Sequence, residues 1–259
     1  MTEFITTERR GHLFLIGLNR AAKRNAFTLE MLHGLSAAYG ELERDPELRC
    51  GVLFAHGEHF TGGLDLADVA PGFATGDWSR PAGGVDPLAL GEPRLSKPMV
   101  TAVQGICFTV GIELMLATEV RITASNARFA MLEVKRGIYP VGGATMRFVR
   151  EAGWSNAMRY LLTGDEFNAQ EAYRMNLVQE VVAPGQELER ALSIAERIAA
   201  AAPFGVRAVM RSARMSLDKG EPEAARRLLP DLKPIMQTQD AQEGLAAFLE
   251  RRPPHFSGK

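Results

Sequence analysis

Two glutamates stand where carboxylates are costly. Glu113 lies in Thr-Val-Gly-Ile-Glu-Leu-Met-Leu-Ala, residues 109–117, and Glu133 in Ala-Arg-Phe-Ala-Met-Leu-Glu-Val, residues 127–134. Both runs are apolar, and a carboxylate buried alone carries a large desolvation penalty. Each lies beside a glycine-rich turn. Two carboxyl groups around one cavity activate a water and shuttle a proton. Crowding and desolvation then separate their pKa values, so that one is acid and the other base. For either glutamate alone, the simpler reading is a salt bridge to Arg121, Arg128 or Arg136. The pair, taken with the two turns, points to a site.

The turns carry a second kind of chemistry. Phe60-Thr-Gly-Gly-Leu-Asp-Leu66 follows a strand with a glycine turn and a short helix. Gln104-Gly-Ile-Cys-Phe-Thr-Val-Gly-Ile-Glu113 repeats the scheme of strand, glycine turn and helix start. Each alone reads as a tight turn. Together they point free backbone N–H groups into a crevice at the carboxyl end of a sheet. Two donors on one oxygen make an oxyanion hole, where losing one donor costs roughly 3–4 kcal/mol of barrier. A thioester carbonyl that becomes an enolate suits such a hole. The chain has no G-x-S-x-G, no Ser-His-Asp set, no P-loop and no G-x-G-x-x-G. His56 and His59 stand three apart without a third ligand of matching spacing, so no metal site is expected.

The elements that must position these groups alternate. His12 to Leu18 reads as a strand and Asn19 to Asn25 as a loop. Thr28 caps a helix from Leu29 to about Arg44, with Met31, Leu32, Leu35 and Tyr39 on one face. Cys50–Ala55, Met99–Val103 and Val120–Ala124 are short apolar runs, read as buried parallel strands. A short helix opens after Asp65, another runs from Gly111 to Ala117, and a further strand precedes Glu133. Residues 71–93, rich in Gly, Pro, Asp and Ser, form the one long irregular stretch, of the kind that shapes a pocket. Helical stretches follow at 143–151, 155–163 and 169–175, then a strand at 178–182. Helices are expected again at 191–202, 205–217 and 221–249, the last broken at Pro230 and Pro234. The first half is therefore βαβ-like with a mainly parallel sheet.

Composition bounds the rest. The chain has 259 residues, 46% hydrophobic and 24% charged, with a net charge of −1. It is long enough to bury a core without disulfides or metals, and its charge balance offers nothing to a polyanion. The arginines of 207–227 interleave with acids, as on a solvated helix face. Cys50 and Cys107 read as buried free thiols, which suits a reducing cytoplasm. No run approaches the ~20 apolar residues that span a bilayer, so no membrane or nucleic-acid partner is expected.

In order and spacing, these motifs resemble the enoyl-CoA hydratase/isomerase (crotonase) superfamily from about Leu13 to Lys259. Leu18-Asn-Arg…Asn25-Ala resembles its first CoA-contacting loop, and Phe60–Leu66 its Phe-x-x-Gly-x-Asp-[Leu/Ile] turn. Lys97-Pro…Gly105…Gly-Ile-Glu-Leu resembles the second oxyanion segment. Phe129…Glu133…Gly137-Ile-Tyr-Pro…Gly142-Gly resembles the second catalytic segment. Leu162-Thr-Gly, Gly244-Leu-Ala-Ala-Phe and Phe256 follow. The resemblance implies an α/β fold, with a spiral core of ββα turns over 1–195 and a helical region over 196–259 for oligomerisation and active-site cover. It assigns the oxyanion hole to the N–H groups of Leu64 and Val110. Glu113 and Glu133 become the carboxyls that hydrate a 2,3-enoyl thioester. Gly62, Asp65 and Leu66 fall to the adenine, and Arg24 and Ala26 to the ribose and pantetheine. Phe256 and Lys259 would approach a neighbour's CoA in a homotrimer or hexamer. No cofactor is implied beyond the coenzyme A of the substrate. Val110 departs from the usual Gly; its N–H survives, but its branched side chain would narrow the pocket. Met131-Leu132 before Glu133 would raise that carboxyl's pKa and suit an acid role.

Overall fold

The chain coils through two sheets. In this computed structural model, which describes residues 4–75 and 80–259, the strands are Ile5–Arg10 (β1), Leu13–Leu18 (β2), Cys50–Ala55 (β3), Met99–Val103 (β4), Ile106–Phe108 (β5), Val120–Ala124 (β6), Arg128–Ala130 (β7), Phe167–Asn168 (β8) and Glu180–Val182 (β9). The larger sheet runs β1-β2-β3-β4-β6-β9 and is parallel except for the β1–β2 hairpin. In the smaller sheet β5 lies parallel to β7, and β7 antiparallel to β8. Thr61 joins β5 through a bridge to Cys107. The chain thus gives β4 to the large sheet and β5 to the small one, then repeats the move with β6 and β7. The corner between β4 and β5 is Gly105, at φ 55°, where a Cβ would stand 2.1 Å from the Glu58 carbonyl oxygen. Only glycine fits so close a left-handed corner.

The helices are Leu29–Arg44 (α1), Leu66–Thr75 (α2), Val110–Leu116 (α3), Ala144–Ala152 (α4), Trp154–Thr163 (α5), Ala169–Arg174 (α6), Glu187–Ala199 (α7), Pro203–Lys219 (α8), Glu221–Ile235 (α9) and Gln239–Glu250 (α10). The expected bounds and cap of α1 match: Thr28 Oγ1 accepts the Met31 N–H at 3.2 Å. Its inner face, Met31, Leu35, Ala38, Tyr39 and Leu42, joins the main core with Phe14, Ile16 and Leu53. All seven residues of α3 are buried, as expected of a helix that is apolar at every position except Glu113. On the other face of the sheet, Ala191, Ala195 and Ala199 of α7 pack with Val52, Val100 and Ile122. Four-residue spacing puts these small residues on one stripe, and α7 spans residue 195. Lys97 is buried, with Nζ donating to the carbonyls of Leu42 at 2.6 Å and of Asp45, so the end of α1 is tied to the start of β4.

Three strands escaped the sequence pattern. β5 and β8 are too short for any periodicity to register. β1 is mostly polar and half-exposed; its identity comes from full register with β2, Ile5 opposite Leu18 through Arg10 opposite Leu13. The expected breaks at Pro230 and Pro234 do not occur, because α9 runs through both. Each proline removes one N–H. Their four-residue spacing puts both losses on one exposed side, where water can take up the freed carbonyls. Of the irregular stretch expected over 71–93, residues 71–75 end α2, 76–79 lie outside the described residues, and 80–93 hold no regular element. Of the arginines over 207–227, Arg211 and Arg227 pair with Asp231, Arg226 with Glu223, and Arg214 with Glu119. Both cysteines are free and buried. Among the described residues, no helix is long and apolar enough to cross a membrane.

Thr28→Ala leaves the Met31 amide without its acceptor. It should lower unfolding free energy by about 1 kcal/mol, read by urea denaturation; an unchanged midpoint would show that the cap contributes nothing.

Candidate active site

The two glycine turns meet over one cavity. Phe27 bridges Leu64: the Phe27 N–H donates to Gly63 O at 2.8 Å, and the Asp65 N–H to Phe27 O at 2.8 Å. This pairing uses the amides on either side of Leu64 and turns the Leu64 N–H away from the bridge. Thr109 precedes α3 at φ 51°, a left-handed conformation that is strained for a β-branched residue. Its N–H donates to Ala130 O at 2.9 Å, and its carbonyl accepts the Ile112 N–H at 2.9 Å. The strained turn leaves Val110 as the first residue of α3. Among the described residues, neither the Leu64 nor the Val110 N–H finds an acceptor. Both residues line a cavity of about 480 Å³ together with Glu113 and Gly142. Val110 is thus part of the cavity wall.

Glu113 is buried, with Oε1 accepting the N–H groups of Gly142 at 2.7 Å and Ala144 at 3.1 Å. Ala144 is the first residue of α4, so the carboxyl sits on a helix N-terminus. A Cβ on Gly142 would stand 2.3 Å from Oε2, so only glycine lets the backbone come this close. Burial pushes the Glu113 carboxyl above its ordinary value, while the two amides and the charge of Arg147 pull it back.

Glu133 starts a short 3-10 turn, Glu133–Arg136, that follows β7. It too is buried, and its Oε2 has no partner among the described residues. Burial pushes its pKa up to about 7; its own amide pulls it down, the Glu113 charge adds to the rise, and Arg136 opposes it. The two carboxyls therefore feel each other, and Glu113, with two donors, is the better held anion. Glu133 does not itself line the cavity. Of the three alternative arginine partners, Arg121 pairs with Glu151 and Arg128 with Glu166, while Arg136 acts on Glu133 through its charge.

The residues assigned to CoA gather beside Leu64. The Arg24 carbonyl accepts the Gly62 N–H at 2.8 Å, the Ala26 carbonyl accepts Arg20 Nη1 at 2.9 Å, and the Asp65 carboxylate pairs with Arg20 at 3.0 Å. Leu66 is exposed at the start of α2. Phe256 and Lys259 lie elsewhere in the chain. The Phe256 carbonyl accepts Arg49 Nη2 at 2.9 Å, the Lys259 carbonyl accepts the Asp240 N–H at 3.2 Å, and neither lines the cavity. His56 and His59 serve structure, His56 Nε2 bonding Thr6 Oγ1 at 2.8 Å and His59 Nδ1 taking the Ile106 N–H at 3.3 Å.

Two positioning residues went unassigned in the sequence. The buried Asn25 donates through Nδ2 to the carbonyls of His56 at 2.9 Å and His59 at 2.8 Å, and accepts the Arg20 N–H at 2.6 Å. It locks the first loop to the turn that presents Leu64. Arg147 donates to Gly142 O at 3.2 Å and to the carbonyls of Leu88 at 2.6 Å and Ala89 at 3.1 Å. It braces the Glu113 cradle against the loop that lines the cavity. A polar residue in a loop and an arginine on a helix are ordinary, so neither gave a local signal.

Glu113 and two amides with no acceptor among the described residues thus meet at one largely apolar cavity, with the Glu133 carboxyl close enough to feel the Glu113 charge. The sequence profile of the family described as Enoyl-CoA hydratase/isomerase matches residues 8–259, and the chain belongs to that family. It is 36% identical to the enoyl-CoA hydratase EchA19 of Mycobacterium tuberculosis over 97% of this chain and 96% of that one. It is 31% identical to the 2,3-dehydroadipyl-CoA hydratase of Escherichia coli over the full length of both. A crystal structure of a probable enoyl-CoA hydratase/isomerase from Mycobacterium abscessus superposes with a TM-score of 0.97 at 46% identity, over 99% of each chain. The fold is thus the crotonase fold, with its spiral core and helical C-terminal region.

The raised carboxyl makes a stability prediction. Glu133 ordinarily titrates near 4.5 and here near 7. Between those values the folded state binds the extra proton, so stability falls as pH rises from 4.5 to about 7. Glu133→Gln removes that penalty. Its unfolding free energy at about pH 8 should exceed the parent's by up to about 3 kcal/mol, and the gain should vanish at about pH 4. An equal gain at both pH values would contradict the burial penalty.

Proposed function

We propose that this chain is an enoyl-CoA hydratase, adding water across the 2,3 double bond of an enoyl thioester. The observation that carries the reading is the placement of Glu113 on the wall of the cavity that Leu64 and Val110 also line. In this reading the thioester oxygen accepts the Leu64 and Val110 N–H groups, which stabilise the enolate as charge moves onto that oxygen. Glu113, held anionic by Gly142 and Ala144, takes a proton from water as the water oxygen bonds C3. Protonated Glu133 gives its proton to C2, and the proton on Glu113 then restores Glu133. Isomerases of the superfamily work with one glutamate at the position of Glu133; a second carboxyl on the cavity wall favours hydration.

Gly62, Asp65, Leu66, Arg24 and Ala26 would hold the CoA, and no further cofactor is called for. The reading includes a cytoplasmic homotrimer or hexamer, with residues 1–195 as the core and 196–259 as the interface and cover that bring Phe256 and Lys259 to a neighbour's CoA. The exposed apolar side chains Leu229, Met236, Leu245, Phe248 and Leu249 on α9, the turn after it and α10 support such an interface.

Loss of the conjugated enoyl-thioester absorbance with crotonyl-CoA, and with a panel of longer and aromatic enoyl-CoAs, tests the reaction. Glu113→Gln and Glu133→Gln should each lower kcat by about 100-fold or more with little change in thioester affinity. Near-normal turnover in either variant would overturn the two-carboxyl mechanism. Val110→Gly keeps the amide and removes the branched wall. It should preserve turnover and extend activity to bulkier acyl groups, and an unchanged acyl profile would show that Val110 does not limit the cavity.

A further inference from the structure

The cavity belongs to the acyl group. None of the residues assigned to CoA, Arg24, Ala26, Gly62, Asp65 and Leu66, lines it, whereas Leu64 and Val110 do and mark its thioester end. Most of the remaining wall is apolar, with Leu29, Leu32, Leu88 and Val141. One side of that wall leads outward from Glu113. Its carboxyl rests on Gly142, and at the next residue, Gly143, a Cβ would stand 3.3 Å from Leu90 Cδ2. One residue past Leu90, a Cβ on Gly91 would stand 3.7 Å from Arg80 Nη2. Arg80 thus stands beyond Leu90 as seen from Glu113, and it too lines the cavity.

The Arg80 side chain is exposed and has few commitments. Its Nη2 donates to the Glu92 carbonyl at 3.3 Å. Among the described residues no carboxylate pairs with it. Glu92 pairs with Arg94, and the two oxygens of Asp86 accept the N–H groups of Leu88 and Leu90 at 2.9 Å each. A guanidinium keeps its charge at any working pH and presents five donors in a fork that matches a carboxylate. His33, exposed on α1, lines the same cavity and can donate one more hydrogen bond.

Resting on the acyl-thioester reading of the site, we propose that Arg80 is a specificity-determining residue that binds a carboxylate at the far end of the acyl chain, with His33 as a second donor. The preferred substrates are then enoyl thioesters that end in a carboxylate rather than in a methyl group. A carboxylate left among the leucines of the wall would be costly. A chain long enough to carry it past Leu90 places it beside a cation that no protein carboxylate has claimed.

Binding of saturated acyl-CoAs by calorimetry tests this without turnover. The probes are pairs of equal chain length, one ending in methyl and one in carboxylate, across a series of lengths. At the length that reaches Arg80, the acid should bind up to about five-fold more tightly than its methyl partner at low salt, and the advantage should shrink at about 0.5 M salt. Arg80→Gln should bring that ratio to one or below while methyl-ended chains bind as before. Arg80→Lys, which keeps the charge, should retain part of the preference. A ratio of one or less at every length in the parent, or an advantage that Arg80→Gln leaves intact, would overturn the subsite while leaving the thioester site standing. Failure of every acyl-CoA to bind would overturn the acyl-thioester reading and the subsite together.

Discussion

The Glu113 carboxyl, buried in a helix with no exposed face, must find donors that do not come from that helix. It finds them in the amides of Gly142 and Ala144, 29 and 31 residues further on. Much of the site follows from that contact. The N-terminus of α4 has to point at α3, Gly142 has to lack a side chain, and Arg147 has to hold the turn in place. Arg147 also reaches the carbonyls of Leu88 and Ala89. One carboxylate is thereby linked, through backbone and guanidinium, to the loop that walls the cavity.

The spiral makes this contact affordable. Each coil moves from the large sheet to the small one through a tight corner, and the corners expose amides that strands would otherwise consume. Leu64 and Val110 follow two such corners, after Thr61 and β5, which are themselves bridged. The strained φ of Thr109 is tolerated because β7 binds its amide and α3 binds its carbonyl. Strain at one residue is thus held by regular structure on both sides, as expected where a backbone group is to be presented rather than paired.

The two glutamates are not equivalent. Glu113 accepts from two amides, and Glu133 has one oxygen without a partner among the described residues. The same burial that raises both carboxyls therefore separates them, because donors stabilise one anion and not the other. A buried oxygen with no partner among the described residues is costly to leave unpaired.

By itself the sequence determined the strands and helices with strong local patterns, the cap of α1 included, and it singled out Glu113 and Glu133 by their apolar surroundings. It also placed Val110 and Leu64 at glycine turns, and the order of the motifs pointed to the family. These signals are local, because burial and periodicity are written into neighbouring residues. Tertiary structure alone decided the rest. The strands β5 and β8 exist through their partners, and the prolines of α9 are tolerated because they share an exposed side. Asn25 and Arg147 act on carbonyls more than 30 and more than 50 residues away. A hydrogen bond to a distant backbone leaves no trace in the residues beside the donor.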